Sequence, residues 1–174
     1  MTIAMQPIYT QTVGAGGASV VTFNNIPQTF TDLTMVAAGR AAGAVVSVDW
    51  IISGISGDAG NNYSVTQIYG TGSGQASQRQ SNIGYMLAGF VPGASATANT
   101  FGSASFYFPN YTSSTFKSVI ADSVTENNGT TGWQAMMAGL WRGTGPITSL
   151  TISTAGGGSL VQHSTFTLYG ITKG

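Results

Sequence analysis

Apolar and polar residues alternate along most of this chain, and clusters of Gly, Asn, Ser and Pro separate the alternating runs. Alternation with a period of two, enriched in β-branched and aromatic residues, indicates β-strands, and no segment shows the stripe of an amphipathic helix. The pattern predicts an all-β chain of about ten strands, forming an antiparallel β-sandwich of jelly-roll-like type. The candidate strands are residues 8–13, 19–23, 33–38, 45–52, 63–69, 83–87, 100–108, 116–125, 133–141, 147–153 and 160–171.

The alternation is clearest in the last third of the chain. Residues 104, 106 and 108 share one face of a strand, so Phe106 and Phe108 are predicted core residues. The same spacing recurs later and extends the predicted core to Leu150, Ile152, Phe166 and Leu168.

Segment 116–125 does not reveal which of its faces is buried. Ile120 and Val124 share a face with Asp122, whereas Val119 and Ala121 share the opposite face. Both faces are therefore candidates for the core, and the register of this strand stays open.

Glycine-rich and asparagine-rich turns separate the strands at residues 14–17, 126–129 and 156–158, where Asn128-Gly129 is typical of a tight hairpin. Segments 53–62 and 70–80 are longer and rich in Gly, Ser and Asn, so they are predicted to be exposed, mobile contact loops. With no internal repeat or linker, residues 1–174 are predicted to form one β-sandwich domain with a short N-terminal segment.

The composition suits a protein that works in an assembly. Hydrophobic residues make up 42% of the chain, but charged residues make up only 6%, with five basic and five acidic side chains and a net charge of zero. An ordinary soluble protein has about 25% charged residues. So weakly charged an exterior favours self-association, and a homotrimer is the expected state.

Charge, cysteine content and the N-terminus limit the possible partners. The basic residues are scattered (Arg40, Arg79, Lys117, Arg142 and Lys173), so no phosphate-binding stripe and no direct nucleic-acid contact are predicted. The absence of cysteine fits a reducing cytoplasm. The N-terminus lacks the pattern of a secretory signal, and Arg40 interrupts the apolar stretch 33–46, so no membrane contact is expected.

Few residues could support catalysis. His163, the one histidine, falls in a predicted strand and is interpreted as a surface or interface residue. The carboxylates form no recognisable pair for glycoside hydrolysis; they are Asp32, Asp49, Asp58, Asp122 and Glu126. The sequence therefore predicts no enzyme and assigns no catalytic residue, although converging carboxylates would revive a glycan-cleaving alternative.

Two glycine-rich segments resemble ligand loops without having the residues that ligands need. Residues 57–62 contain one carboxylate, Asp58, too few for a calcium loop, and are interpreted as a turn. Residues 70–74 lack the Lys and Ser/Thr of a phosphate-binding loop.

The Asn-X-Ser/Thr tripeptides at 62, 110 and 128 are not expected to be glycosylated without a secretory signal. No metal and no cofactor are predicted.

Trp133 and Trp141 lie eight residues apart and would share one face of a strand. Both are interpreted as core residues. If one were exposed, it would be a natural anchor for a neighbouring subunit or a glycan.

Several segments resemble a recurring group of small virion proteins of tailed bacteriophages. They are FYFPNYTSSTFKSV at 106–119, DSVTENN at 122–128, AGLW at 138–141, ITSLTI at 147–152, STFTLYGI at 164–171 and, earlier, IPQTFTDL at 26–33. The resemblance implies a structural component of a phage particle, made in the cytoplasm of a bacterial host, and names no active-site residue.

Composition and resemblance together lead to two hypotheses. The first is a capsid decoration, or cement, protein that contacts the major capsid protein. The alternative is a tail or fibre module that contacts tail proteins and binds a host surface glycan. The number of copies in each particle separates the two.

Overall fold

The alternating segments form twelve β-strands in the computed structural model, which describes residues 4–172. The strands are β1 (Ala4–Thr12), β2 (Val20–Phe23), β3 (Asp32–Gly39), β4 (Ser47–Ser53), β5 (Tyr63–Gly70), β6 (Gln75–Ile83), β7 (Tyr85–Pro92), β8 (Gly102–Phe108), β9 (Lys117–Val124), β10 (Gln134–Trp141), β11 (Leu150–Thr154) and β12 (Thr165–Thr172). Two short 3-10 helices, Ile55–Gly57 and Ala155–Gly157, lie between strands. No helix of residues 4–172 is long and apolar enough to cross a membrane.

The strands form two sheets that pack face to face. The larger sheet has the order β1-β12-β3-β8-β9-β10-β5-β6, and the smaller sheet has the order β2-β11-β4-β7. Neighbouring strands are antiparallel in both sheets. The predicted fold class, an all-β antiparallel sandwich, is confirmed, and the arrangement is compatible with a jelly-roll-like fold.

The core lies between the sheets, where alternate residues of each strand point inward. Phe106, Phe108, Phe166, Leu168 and Leu150 are buried there, and so is Ile152, which confirms the core predicted from the late strands. Burying such side chains is the main favourable contribution to the stability of a fold of this kind.

Trp50 of β4 is the largest fully buried side chain of this core. Its indole makes edge-to-face contacts with Phe106 at 6.4 Å and Phe166 at 5.8 Å between ring centroids. Gly39 of β3 lies directly against the indole, and a Cβ added there would approach within 2.9 Å of Cζ2 and closer still to Cη2. The absence of a side chain at Gly39 therefore makes room for Trp50.

A bulge in β7 joins the two sheets by hydrogen bonds. The β4–β7 register shifts between Asp49 and Ile51, and Gly89 adopts a φ of +90°, a conformation that disfavours any side chain. The amide of Gly89 donates to Oε1 of Gln67 at 3.1 Å, and that of Phe90 donates to Oγ of Ser123 at 2.8 Å. Backbone groups freed by the bulge are thus satisfied by side chains of the larger sheet.

The prediction that residues 70–80 form a mobile loop is wrong for most of the segment. The turn is confined to residues 71–74, and Gln75–Ile83 form β6, paired with β5. This strand is exposed or half-buried on both faces and almost wholly polar, so it lacks the alternation on which the prediction depended.

Segment 53–62, predicted to be an exposed loop, is an irregular connection between β4 and β5 in which Ile55 is fully buried. A carboxylate shapes its second half. Oδ1 of Asp58 accepts hydrogen bonds from the amide of Gly60 at 2.8 Å and from Nδ2 of Asn62 at 3.2 Å. The interpretation of residues 57–62 as a turn is confirmed.

The structure shows which face of strand β9 is buried, a question that the sequence pattern did not decide. Lys117, Val119, Ala121 and Ser123 point into the sandwich, whereas the residues between them point outward. Lys117 is only 1% exposed, and its ammonium group donates to the carbonyl oxygens of Ser113, Thr115 and Gly145 at 2.6 to 2.9 Å. Burial lowers the pKa of this ammonium group.

Arg40 is the second buried cation. Its guanidinium donates to the carbonyl oxygens of Ala94, Ala96, Thr97 and Thr100 at 2.8 to 3.2 Å and also to the hydroxyl of Thr100. These hydrogen bonds fix the connection between β7 and β8 and leave few donors of Arg40 for a ligand.

We predict that Gly39→Ala destabilises the fold by about 1–3 kcal/mol, because the new methyl group overlaps the Trp50 indole inside a close-packed core. Gly145→Ala is the matched control, because nothing lies within 4 Å of a Cβ added at that position. Urea unfolding measures both variants. Equal free energies of unfolding for the two would contradict the role given to Gly39.

Candidate functional site

The outward face of the larger sheet exposes apolar side chains where a sandwich usually presents polar ones. Five of them are between 43% and 56% exposed: Val36, Ile68, Ile120, Val124 and Met136. They come from β3, β5, β9 and β10, four strands of the same sheet. We call this set the outer apolar patch.

The strand register places these residues close together. One row across the sheet runs Val36, Ser105, Asp122, Met136, Ile68. Ile120 and Val124 flank Asp122 along β9, on the same face. Ile68, Met136, Ile120 and Val124 are therefore neighbours around the carboxylate of Asp122, and Ser105 of β8 separates this group from Val36.

A groove of about 890 Å³ adjoins one end of the patch. Ile68, Met136 and Val124 contribute to its lining, and the turn at residues 71–72 bounds one side. Glu126 and Trp133 contribute from the connection between β9 and β10. The groove therefore combines an apolar surface with an indole, a carboxylate and the amides of Gln75 and Gln134.

The two tryptophans occupy different environments. Trp133 is half-buried, packs on Phe90 at 6.0 Å between ring centroids and borders the groove, so its interpretation as a core residue is wrong. It precedes β10, which begins at Gln134, and lies at the open end of the space between the sheets.

Trp141 is buried, as expected of a core residue. Its indole N–H donates to Oδ2 of Asp58 at 2.6 Å, and Nζ of Lys117 lies 5.6 Å from its ring centroid. Desolvation alone would raise the pKa of Asp58, but hydrogen bonds from Trp141, Gly60 and Asn62 outweigh it and hold the pKa below its usual value. This interaction ties the turn to the end of β10.

The five carboxylates of the chain are dispersed over the fold. Asp32 is buried at the start of β3, where it accepts hydrogen bonds from Tyr107 at 2.7 Å and from the amide of Asn110 at 2.8 Å. The hydrogen bond from the Tyr107 hydroxyl to Asp32 raises the pKa of Tyr107 to about 12. Asp32 thus fixes the chain around the end of β8.

Asp122 and Glu126 are the two exposed carboxylates among these five. Glu126 borders the large groove, whereas Asp122 borders an adjoining depression of about 260 Å³ that shares Val124 and Gln134 with the groove. One oxygen of Glu126 accepts from the amides of Asn127 and Asn128 at 2.8 to 3.0 Å, which fixes its carboxylate to its own loop. Residues 4–172 contain no group of three or more His, Asp and Glu side chains able to hold a metal ion.

His163 lies in a turn, with a φ of +73°, and not in a strand as predicted. Strand β12 begins only at Thr165. The amide of His163 donates to the carbonyl of Val13 at 3.0 Å, and its side chain is exposed. It takes part in neither the patch nor the groove.

The basic residues also lie apart. Arg40 and Lys117 are buried, whereas Arg79 and Arg142 are exposed and bond to Thr66 and to the carbonyl of Asn61. Lys173 lies outside the described residues. The described residues present no cluster of exposed cations near the patch.

Asp49 lies beside the β7 bulge, between the sheets. Burial raises the pKa of its carboxyl above the usual 3.8, although the nearby Gln67 amide favours the charged form. Oδ1 of Asp49 and Nε2 of Gln67 are both buried without a hydrogen-bond partner at normal geometry. The carboxylate therefore destabilises the fold in its charged form.

Comparisons with protein-family models, with curated proteins and with solved structures find no significant match to this chain.

We predict that Asp49→Asn stabilises the protein at neutral pH. Because the raised pKa means that folded Asp49 binds its proton more tightly than unfolded Asp49, wild-type stability rises as pH falls through the folded-state pKa towards 3.8. The variant has no such titration, so its advantage should shrink over the same pH range. Urea unfolding at a series of pH values measures the effect. An advantage independent of pH would rule out this role for the carboxyl group.

Proposed function

We propose that this chain is a structural protein of a phage particle that decorates the capsid shell and stabilises it through protein contacts. The observation that supports this most directly is the outer apolar patch, which spans several strands of an open sheet face. Contiguous apolar surface of this kind marks sites of protein interaction. The resemblance of several segments to phage virion proteins supplies the biological context.

The chemistry of the patch suits attachment to a shell. Contact through Val36, Ile68, Ile120, Val124 and Met136 is driven by loss of apolar area from water, which requires no complementary charge. A stable contact of standard size buries about 1,600 Å² in total. Because a decoration protein binds only the assembled shell, each bound copy stabilises that state by mass action.

Weak salt dependence follows from the positions of the charges. Two of the four described basic side chains, Arg40 and Lys117, are buried among carbonyl groups. Asp122 is the carboxylate within the patch itself. So few exposed charges contribute little screened attraction, and added salt should change attachment only slightly.

We predict that Met136→Lys weakens attachment to phage heads at least tenfold, because it places a charge in the middle row of the patch. Val20→Lys is the matched control, since Val20 is 49% exposed on β2 of the smaller sheet, away from the patch. Heads lacking the protein are mixed with each variant, and bound protein is quantified after sedimentation at low and high salt.

Heads carrying the wild type or Val20→Lys should retain their genome at higher temperature than heads with Met136→Lys. Equal attachment by both lysine variants would reject the patch as the contact surface. Absence of wild-type protein from the head in particle images would reject the function itself.

The second candidate function is a tail or fibre module that binds a host surface glycan. The groove beside Trp133 supports it, because an indole with neighbouring Gln and Glu side chains is suited to stack on and hydrogen-bond a sugar. Hundreds of copies in each particle favour the shell, whereas a few tens or fewer favour the tail. Trp133→Ala should abolish binding to host cell envelopes if the second function is correct.

A further inference from the structure

Strand β6 ends the larger sheet with an unprotected edge. It pairs only with β5 among the described residues, and it is exposed or half-buried on both faces. Sheet edges are normally blocked by prolines, bulges, lysines or short strands, because their free backbone groups attract other strands. The one register shift of β6 lies near its end, at Asn82, whose φ is +54°. From Gln75 to Ser81 the register is regular, with no proline and one charge, that of Arg79.

The other sheet edges of the described residues have such protection. β1 contains Pro7 and a register shift beside it. β2 is only four residues long, and β7 contains the Gly89 bulge and ends at Pro92. The edge of β6 is therefore the one suited to accept another strand.

The register of the β5–β6 hairpin identifies which backbone groups are free. The amide of Thr71 donates to the carbonyl of Gly74 at 2.9 Å, so these two residues form a hydrogen-bonded pair. Such pairs alternate along an antiparallel ladder, so Ala76, Gln78 and Gln80 bond to β5. The alternate residues point their N–H and C=O groups away from the sheet; they are Gln75, Ser77, Arg79 and Ser81.

We propose that two copies of this chain join through their β6 strands, antiparallel, about a twofold axis at Gln78. In this register Ser77 forms a hydrogen-bonded pair with Arg79 of the partner subunit, and Gln75 forms one with Ser81 of the partner subunit. Each pair occurs twice, so every outward backbone group from Gln75 to Ser81 is satisfied.

Self-complementarity of the strand selects a second copy as the partner and this register as the contact. An axis at Arg79 would place two guanidinium groups directly opposite each other, which is destabilising. An axis at Ser77 would leave Ser81 beyond the regular part of the partner strand. The axis at Gln78 instead sets each Arg79 opposite a serine, in an otherwise uncharged row of Gln, Ser and Ala.

The contact merges two eight-stranded sheets into one continuous sheet. Paired residues point to the same face, so the outer apolar patches of both copies lie on the same side. The inference does not depend on what the patch binds. Because this contact is twofold, the homotrimer expected from composition would need a different surface.

Single cysteines test the register, because the chain has no cysteine of its own. At Gln78 the two Cα atoms would form a non-hydrogen-bonded pair about 4.5 Å apart, within the roughly 4.4–6.8 Å range of disulfides. Gln78→Cys should therefore give a disulfide-linked dimer under mild oxidation. Gln80→Cys is the matched control, because its two copies would lie about 13 Å apart along the strands and should not link.

A proline tests the backbone contact itself. Ser77→Pro removes an outward N–H and blocks the approach of the second strand, but it breaks no hydrogen bond to β5. We expect wild type and Ser77→Ala to sediment as dimers at micromolar concentration and Ser77→Pro as a monomer. Thermal unfolding should show a cooperative transition for all three.

Three results would each overturn the proposal. They are a wild-type mass of one or three protomers, a dimer that Ser77→Pro leaves intact, and linkage by Gln80→Cys as fast as by Gln78→Cys. A monomeric wild type would leave strand addition by a different protein as the use of this edge. None of these measurements involves phage particles, so their outcome is separate from that of the attachment assay.

Discussion

The separation of the two sheets depends on one side chain, Trp50. Its indole fills the space between the smaller sheet and three adjacent strands of the larger one, β12, β3 and β8. Phe106 and Phe166 meet it edge-on, and Gly39 leaves it room. Close packing transmits any change in the volume of one core residue to its neighbours. Of the four strands that contribute side chains to the outer apolar patch, β3 is the one that this aromatic layer supports from the inner side.

The other half of the sandwich is held differently. There β7 packs on β5, β9 and β10, and its bulge exchanges ladder bonds for hydrogen bonds to Gln67 and Ser123. Hydrogen bonds are directional, so they fix the register of β7 against the larger sheet where apolar packing alone would permit sliding. The partly buried Asp49 carboxyl beside this bulge opposes that arrangement energetically. The fold thus combines an aromatic layer at one end with a polar connection at the other.

Alternation was sufficient to predict the fold class and most strands, because strands such as β8 and β12 bury one face and expose the other. It failed for β6, which buries neither face fully and so leaves no periodic signal. It also could not orient β9, where Lys117 and Ser123 are buried while Ile120 and Val124 are exposed. This exchange of polar residues inside and apolar residues outside produces the outer apolar patch. The sequence does not show it, because the carbonyl groups that bind the buried Lys117 ammonium group come from loops outside this strand.

The position of β12 between β1 and β3 has a consequence for how the chain acquires its structure during synthesis. Strand β1 precedes the other described strands in the chain, yet its partner in the sheet, β12, follows all of them. Until β12 arrives, β3 has an open edge beside an apolar inner face, the kind of surface on which partly folded chains aggregate. Slow, non-local closure is typical of all-β topologies. Any delay before β12 is synthesised therefore prolongs the exposure of this edge of β3.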